Sequence, residues 1–501
     1  MSTMAPKVQL NDPSLLVGKN FINGEWIESI SGKRFGVTDP ATGELVGSCP
    51  ESTAQDTENA IASAAAALPA WRSRTGRDRS RILRRWYDLV MKNQQDLATL
   101  ISWENGKTKA DASGEVIFAS SFLEWFSEEA ARIYGDVIPH SAPGFRAAVV
   151  REPVGVCGLI TPWNFPAAMV TRKLGPALAA GCTVVVKTAG ETPFTANALA
   201  VLGERSGIPK GVINIVTALD NTAEIGETLC KSNTVRKISF TGSTRVGKLL
   251  MQQSSSTLKK LSLELGGNAP FIVFNDADID LALQGAISSK FKSSGQTCVC
   301  SNRIFVQKDI YPEFIRRLKE SVSNFKVGHG LDAQTTHGPL VTQSAAERVD
   351  GLVQDALQKG ARVEAGGKRL HDLGPNFFAP TILTNLKPDM RIINEEIFGP
   401  VAPIFQFETE DEVVKFANKC EVGLASYIYT QDVTRAARVS ELLDFGMVAL
   451  NTGVISDAAA PFGGIKHSGM GREGSKYGIK DYMQMKTLIT GNVNVLHRSH
   501  L

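Results

Sequence analysis

Between Val154 and Gln253 the chain alternates β-rich runs with helical ones, and no other feature limits its possible folds as much. Val154–Ile160, Cys182–Lys187, Val212–Val216 and Arg236–Thr241 are β-rich, while Ala167–Ala180, Pro193–Ser206, Thr222–Cys230 and Ser243–Gln253 read as helices between them. Strand, helix, strand in repetition predicts a parallel sheet with crossover helices. A second series opens at Ala269–Phe274, continues through a helix around Ile279–Ile287 and reaches Val448 and Asn451. At 501 residues the chain exceeds what one core usually supports, so two α/β domains in succession are predicted, with a ligand cleft at their junction.

The flanking segments read differently. Residues 21–50 are short strands and turns, with Asn23-Gly24 as a hairpin signal and further turns at Asp39-Pro40 and Thr42-Gly43. Ala60–Ala67 is alanine-rich, Arg77–Asn105 carries Ile82, Trp86, Val90 and Leu97 at helical spacing before Gly106, and Glu115–Ile133 is amphipathic. Gly135–Arg151 and Lys486–Val495 read as extended.

With 43% hydrophobic and 21% charged residues, the composition is that of a globular protein. A net charge of +3 provides no broad field for nucleic acid or anionic lipid, and no apolar run is long enough to span a bilayer. The seven cysteines are odd in number and irregularly spaced, which fits a reducing compartment. Cys298-x-Cys300 has no second Cys/His pair at metal spacing, so no metal site is expected. The N-terminus lacks a signal or transit pattern and points to the cytoplasm; Ser499-His500-Leu501, a loose variant of a peroxisomal signal, is the alternative.

The chemistry centres on Phe291–Arg303, F-K-S-S-G-Q-T-C-V-C-S-N-R, where Cys298 follows a Gly-Gln-Thr turn. A thiol becomes a nucleophile when it sheds its proton and the charge it generates is stabilised. Glu264 in L-E-L-G-G is a candidate base, and Asn164 in P-W-N-F-P a candidate oxyanion donor. Each also has a structural reading: an inert thiol, a turn cap and a satisfied loop amide. F-T-G-S-T-R-V-G has Gly242 and Gly247 five apart, so it is not the G-x-G-x-x-G pattern; alone it reads equally as a phosphate-binding turn or a plain helix cap. Lys187 ends V-V-V-K at the carboxyl edge of a strand, where a lysine is either solvated or reaches a nucleotide.

Taken together, these motifs resemble the NAD(P)-dependent aldehyde dehydrogenases, most of all those acting on succinate semialdehyde. The similarity runs from F-I-N-G-E-W at Phe21 to P-F-G-G-I-K-H-S-G ending at Gly469. It implies a Rossmann-like cofactor domain at 1–134 and 152–265, an α/β catalytic domain at 266–485, and a small β oligomerisation element at 135–151 and 486–501. It also implies Cys298, Glu264 and Asn164 as catalytic, and Thr161, Pro162, Trp163, Lys187, Gly190, Gly242, Ser243, Glu396 and Phe398 along the cofactor. Arg172 and Ser456 are the implied anchors of a semialdehyde carboxylate. Lys292 stands where the family has an arginine, so charge is kept and the bidentate fork is lost. Cys300 matches a cysteine that in this branch closes a redox disulfide with the nucleophile. Lys187-Thr188-Ala189-Gly190 replaces the glutamate of NAD-preferring relatives by glycine, which predicts that NADP is preferred and NAD also accepted. A homodimer or homotetramer is implied. The alternatives are another semialdehyde, such as glutarate semialdehyde, an aminoaldehyde, or a non-catalytic structural protein on the same fold.

Overall fold

The valine run Thr183–Lys187 forms a strand buried at every position, as a parallel strand between two helical layers must be. Val184 and Val186 enter one apolar cluster with Leu174 and Leu178, and Val185 enters the opposite one with Leu229 and Ile238. A computed structural model describes residues 8–493; the tripeptide Ser499–Leu501 lies outside the described residues.

The described elements begin with strands β1 (Asn20–Ile22), β2 (Glu25–Ile27), β3 (Arg34–Thr38) and β4 (Leu45–Pro50). Four helices follow, α1 (Ala54–Arg72), α2 (Gly76–Lys92), α3 (Gln94–Asn105) and α4 (Lys109–Glu129). The alternating stretch is β5 (Asp136–Ile138), β6 (Arg146–Pro153), β7 (Val156–Ile160), α5 (Ala168–Ala180), β8 (Thr183–Lys187), α6 (Pro193–Arg205), β9 (Ile213–Val216), α7 (Thr222–Lys231), β10 (Val235–Thr241), α8 (Thr244–Ser254) and β11 (Lys260–Glu264). The second series is β12 (Ala269–Val273), α9 (Ile279–Lys290), β13 (Ser301–Gln307), α10 (Tyr311–Ser323), α11 (Gln343–Gln358), β14 (Arg362–Ala365), β15 (Thr381–Thr384) and β16 (Val401–Phe407). It closes with β17 (Val422–Gly423), β18 (Ala425–Tyr429), β19 (Met447–Leu450), β20 (Ile465–Lys466), β21 (Gly469–Met470) and β22 (Met483–Thr490), with helices Glu410–Asn418 ahead of β17 and Val433–Leu442 crossing from β18 to β19.

Eight strands form one sheet in the order β2-β1-β9-β8-β7-β10-β11-β21. Its centre is parallel, and β1 and β21 join it antiparallel. The chain runs outward from β7 through β8 to β9, then returns past β7 to β10 and β11. This reversal opens a crevice above the carboxyl ends of β7 and β10, the place where open α/β sheets take ligands. A second sheet, β14-β15-β16-β13-β12-β18-β19, is parallel except at β14. The third, β22-β6-β5, is antiparallel and leaves Val137, Met485 and Ile489 85%, 70% and 55% exposed.

Local departures from the sequence reading have local causes. The helical stretch 77–105 is two helices, because Asn93 leaves helical geometry and its side-chain amide donates to Leu89 O at 2.8 Å. The next helix starts six residues earlier than read, capped by Thr108, whose hydroxyl accepts from Asp111 N at 3.1 Å. The Gly106 stop holds: its φ of 83° is left-handed, which glycine adopts without strain.

Candidate active site

Loops from both large sheets converge over the β7/β10 crevice. Thr161–Ala167 leaves β7, Gly242-Ser243 leaves β10, Leu265–Asn268 joins the two sheets, and Phe291–Cys300 carries the chain from α9 to β13. Together with Glu396 and Phe398 ahead of β16, these enclose a cleft of about 440 Å³ whose lining includes Asn164, Arg172, Ser243, Cys298, Phe398 and Ser456.

Cys298 sits in this cleft, half-buried, on a loop that turns sharply just before it. Ser293, Ser294 and Gly295 have φ values of 50°, 54° and 74°, a run of left-handed residues that holds the loop in a tight bend. The loop packs close to its neighbour: a Cβ on Gly267 would stand 2.3 Å from Cys298 O. Burial pushes the Cys298 thiol up to about 12; Arg172 opposes the rise, and Glu264 and Glu396 add to it. The resting thiol is therefore protonated and needs a base. Asn164 is buried, donates from Nδ2 to Gln296 O at 3.1 Å, and leaves Oδ1 without a partner.

Glu264 ends β11 just behind the cleft wall formed by Leu265 and Gly266, and its Oε2 is buried without a partner. Burial lifts its carboxyl well above the ordinary range; the Glu473 charge adds to this, and Arg172 and Lys173 oppose it. Glu473 behaves oppositely. Burial disfavours its charge, but Lys173 and Arg172 outweigh that and hold it below the usual carboxylate range. Lys173 Nζ forms an ion pair with Glu473 Oε1, and Arg172 Nε lies 2.7 Å from Oε2. Arg172 is also 4.2 Å from the Phe462 ring centroid and donates to Met169 Sδ at 3.1 Å. Glu264, whose charge acts on the Cys298 thiol, and Glu473, paired with Arg172 and Lys173, thus differ in ionisation tendency, and the raised member suits proton transfer.

On the other side of the cleft, Gly242 and Ser243 open α8. Ser243 Oγ accepts from Val246 N at 3.4 Å, and this N-cap residue lines the crevice. A Cβ on Gly242 would stand 2.4 Å from Phe240 Cζ, so only glycine fits this close turn, which suits a pyrophosphate on the helix N-terminus. Lys187 is buried at the end of β8 and donates to Ala218 O at 3.0 Å; burial lowers its ammonium to about 8. Gly190 packs on Ala218-Leu219, where a Cβ would lie 2.7 Å from Leu219 Cδ1. Glu396 Oε1 accepts from Gly267 N at 3.0 Å, and burial raises its carboxyl to about 7. Phe398 has a φ of 52° and meets Trp163 edge-on, centroids 5.6 Å apart. Pro162 and Trp163 line the cleft, while Thr161 lies at its root, donating from N to Lys187 O at 3.1 Å.

Lys187 and Gly190 do not line the cleft itself, and two further residues singled out in the sequence also stand apart from it. Lys292 is exposed and does not line the cleft, because the left-handed serines that follow it turn the chain inward and leave its side chain outside. Cys300 is buried behind the loop, its Sγ donating to Lys290 O at 3.3 Å, and all seven cysteines are free thiols. Conversely, Arg348 on α11 and Glu473 were not anticipated. Arg348 lines the cleft and donates to the carbonyls of Glu396 and Ile397. Neither falls in a recognisable motif, and both reach the site from distant segments.

Comparison with known proteins fits this geometry. Residues 26–488 match the aldehyde dehydrogenase family. The chain is 51% identical to the glutarate-semialdehyde dehydrogenase of Pseudomonas aeruginosa over 486 residues, covering 97% of this chain and 100% of that protein. It is likewise 51% identical to the NADP(+) succinate-semialdehyde dehydrogenase of Escherichia coli over 484 residues, covering 97% and 100%. The crystal structure of succinate-semialdehyde dehydrogenase from Burkholderia pseudomallei superposes with a TM-score of 0.95 at 53% identity, covering 97% of this chain and 100% of that one. Fold, cleft and full-length similarity agree, and the chain belongs to the aldehyde dehydrogenase family.

Proposed function

We propose that this protein oxidises succinate semialdehyde to succinate, using NADP in preference to NAD. The observation that carries the substrate is Arg172, a buried guanidinium lining the same small cleft as Cys298, with Ser456 also on its wall. A cation opposite the nucleophile suits an aldehyde with a carboxylate at its far end.

Ionised Glu264 takes the Cys298 thiol proton and releases it to solvent, the thiolate adds to the aldehyde carbon, and the oxygen that becomes negative is held by the Asn164 amide and the Cys298 backbone N–H. A bound nicotinamide would supply the hydride acceptor, and the substrate carbon left on the Cys298 sulfur would then be a thioester. Glu264 removes a proton from water attacking the thioester, which releases the acid and returns the thiol. Gly242 and Ser243 would hold the pyrophosphate, and Glu396, Phe398, Pro162 and Trp163, which line the cleft, would hold the nicotinamide half. Lys187 would supply a cation for the 2′-phosphate, and Gly190 removes the carboxylate at that one position, while Glu191 and Glu51 still act on the Lys187 ammonium.

We read the cofactor domain as 1–134 and 152–265, the catalytic domain as 266–485, from which β21 crosses to the edge of the cofactor sheet, and the oligomerisation element as 135–151 with 486–501. The exposed apolar residues of β5 and β22 support pairing of subunits as a homodimer or homotetramer, which light scattering at micromolar concentration tests; a monomer mass refutes it. No helix among the described residues is long and apolar enough to cross a membrane. The odd number and irregular spacing of the cysteines, which fit a reducing compartment, support the cytoplasm as the proposed location.

Glutarate semialdehyde is the second reading. With Lys292 outside the cleft and Arg348 engaged with the Glu396 and Ile397 carbonyls, Arg172 is left to set the tail, and an added methylene changes binding by only about 1–3 kcal/mol. The test is turnover of succinate semialdehyde, glutarate semialdehyde and pentanal with each nicotinamide, followed at the reduced-cofactor absorbance. The expected result is the highest kcat/KM for succinate semialdehyde with NADP. Equal turnover of pentanal, or tenfold better use of NAD, contradicts it.

A further inference from the structure

The corner between α3 and α4 takes no part in the chemistry above, yet it touches the loops carrying both Asn164 and Cys298. Asn105, the last residue of α3, donates from Nδ2 to Trp163 O at 2.9 Å. The Lys107 ammonium sits 3.5 Å from the centroid of the Phe165 ring and pairs with Glu115, both side chains at most 2% exposed. The same Glu115 carboxylate accepts from Ala167 N at 2.9 Å and Ala168 N at 3.3 Å, tying down the start of α5. The residues on each side of Asn164 are thus bound to this one corner. Asp111, one turn into α4, accepts from Ser293 N at 3.1 Å, at the left-handed bend that leads to Cys298. The corner itself has little room to shift: a Cβ on Gly330 would stand 2.1 Å from Lys107 O, and one on Gly338 2.0 Å from Gly106 O.

We propose that this corner is a positioning clamp, in which Lys107, seated on Phe165 and paired with Glu115, fixes the Asn164 amide relative to the Cys298 loop. It rests on the reading of Asn164 as the oxyanion donor. Neither Lys107 nor Glu115 touches the reacting atoms; they act through the backbone they hold. Burial favours neutral Lys107, whereas Glu115 stabilises its charge, so the pair persists only while both partners remain. A donor displaced by about 1 Å costs roughly a hundredfold in rate.

The experiment compares Lys107→Met, Asn164→Ala and their double variant in full-length protein, measuring kcat with succinate semialdehyde and NADP, and NADP affinity by fluorescence. Lys107→Met is expected to lower kcat about a hundredfold while the NADP Kd changes by less than about twofold. Because the clamp works through Asn164, the double variant is expected to be no slower than Asn164→Ala alone. A Lys107→Met enzyme at the wild-type rate, or a double variant slowed by the product of the two single losses, overturns the clamp. An Asn164→Ala enzyme at the wild-type rate overturns the oxyanion reading beneath it, which a slow Asn164→Ala with multiplicative losses does not. If Lys107→Met fails to fold, Asn105→Ala, which removes only the bond to Trp163 O, carries the same cycle with the same non-additive result expected and the same multiplicative result fatal.

Discussion

Replacing Arg172 by methionine separates the substrate reading from a structural role for the same side chain. Methionine keeps an unbranched stem against Phe462 and removes the charge. A guanidinium gripping a carboxylate through two charge-assisted hydrogen bonds contributes about 1.5–3 kcal/mol for each. Part of that is already offset in the free protein, since Arg172 Nε rests 2.7 Å from Glu473 and must share its donors. A net loss of about 3 kcal/mol remains, equivalent to roughly a 150-fold fall in kcat/KM for succinate semialdehyde. Glu473 keeps Lys173 as a partner, so the substitution does not strand a buried charge. Pentanal has no carboxylate to lose and is expected to fall by less than about tenfold. The assay is kcat/KM for both aldehydes with saturating NADP, together with thermal stability of the variant. Equal losses for the two aldehydes refute the carboxylate contact and make Arg172 a structural partner of Glu473.

Glu264→Gln removes the base and is expected to lower kcat about 10²- to 10⁴-fold. Glu264 acts only when ionised and ionises above the ordinary carboxylate range, so wild-type kcat rises with pH through that ionisation and the variant's does not; an unchanged profile in the variant points to another base. Burial lowers the Lys187 ammonium to about 8, so it is charged below that pH and neutral above. Calorimetry is expected to show NADP binding weakening as pH rises through 8 while NAD binding stays level; parallel curves remove Lys187 from phosphate recognition. Peroxide is expected to inactivate the enzyme reversibly through a Cys298–Cys300 disulfide, with thiol reductants restoring it. Equal reversibility in Cys300→Ala contradicts this.

How much was legible depended on whether the deciding contact was local. The strand Thr183–Lys187 announced itself because three consecutive valines satisfy burial on both faces at once. The turn at Gly242 and the loop around Cys298 were legible from short motifs, since their geometry is set by adjacent residues. Glu473 was not, because its pairing with Lys173 spans 300 residues and nothing in the local sequence demands an acid there. Arg348 was missed for the same reason. Lys292 shows the converse: the family resemblance placed it at the substrate, and two left-handed serines, a backbone state that residue type does not reveal, put it outside the cleft. The split at Asn93 turned on one side-chain amide bonding back to Leu89 O.

All of the chemistry depends on a covalent bond between Cys298 and the substrate carbon. The direct measurement is mass spectrometry of Glu264→Gln, acid-quenched during turnover of succinate semialdehyde with NADP, when hydrolysis is slowed and the acyl group should accumulate. The account predicts a succinyl adduct on the peptide bearing Cys298, absent from Cys298→Ala. Reduced cofactor formed in step with product and no adduct, or an adduct on any other residue, contradicts it.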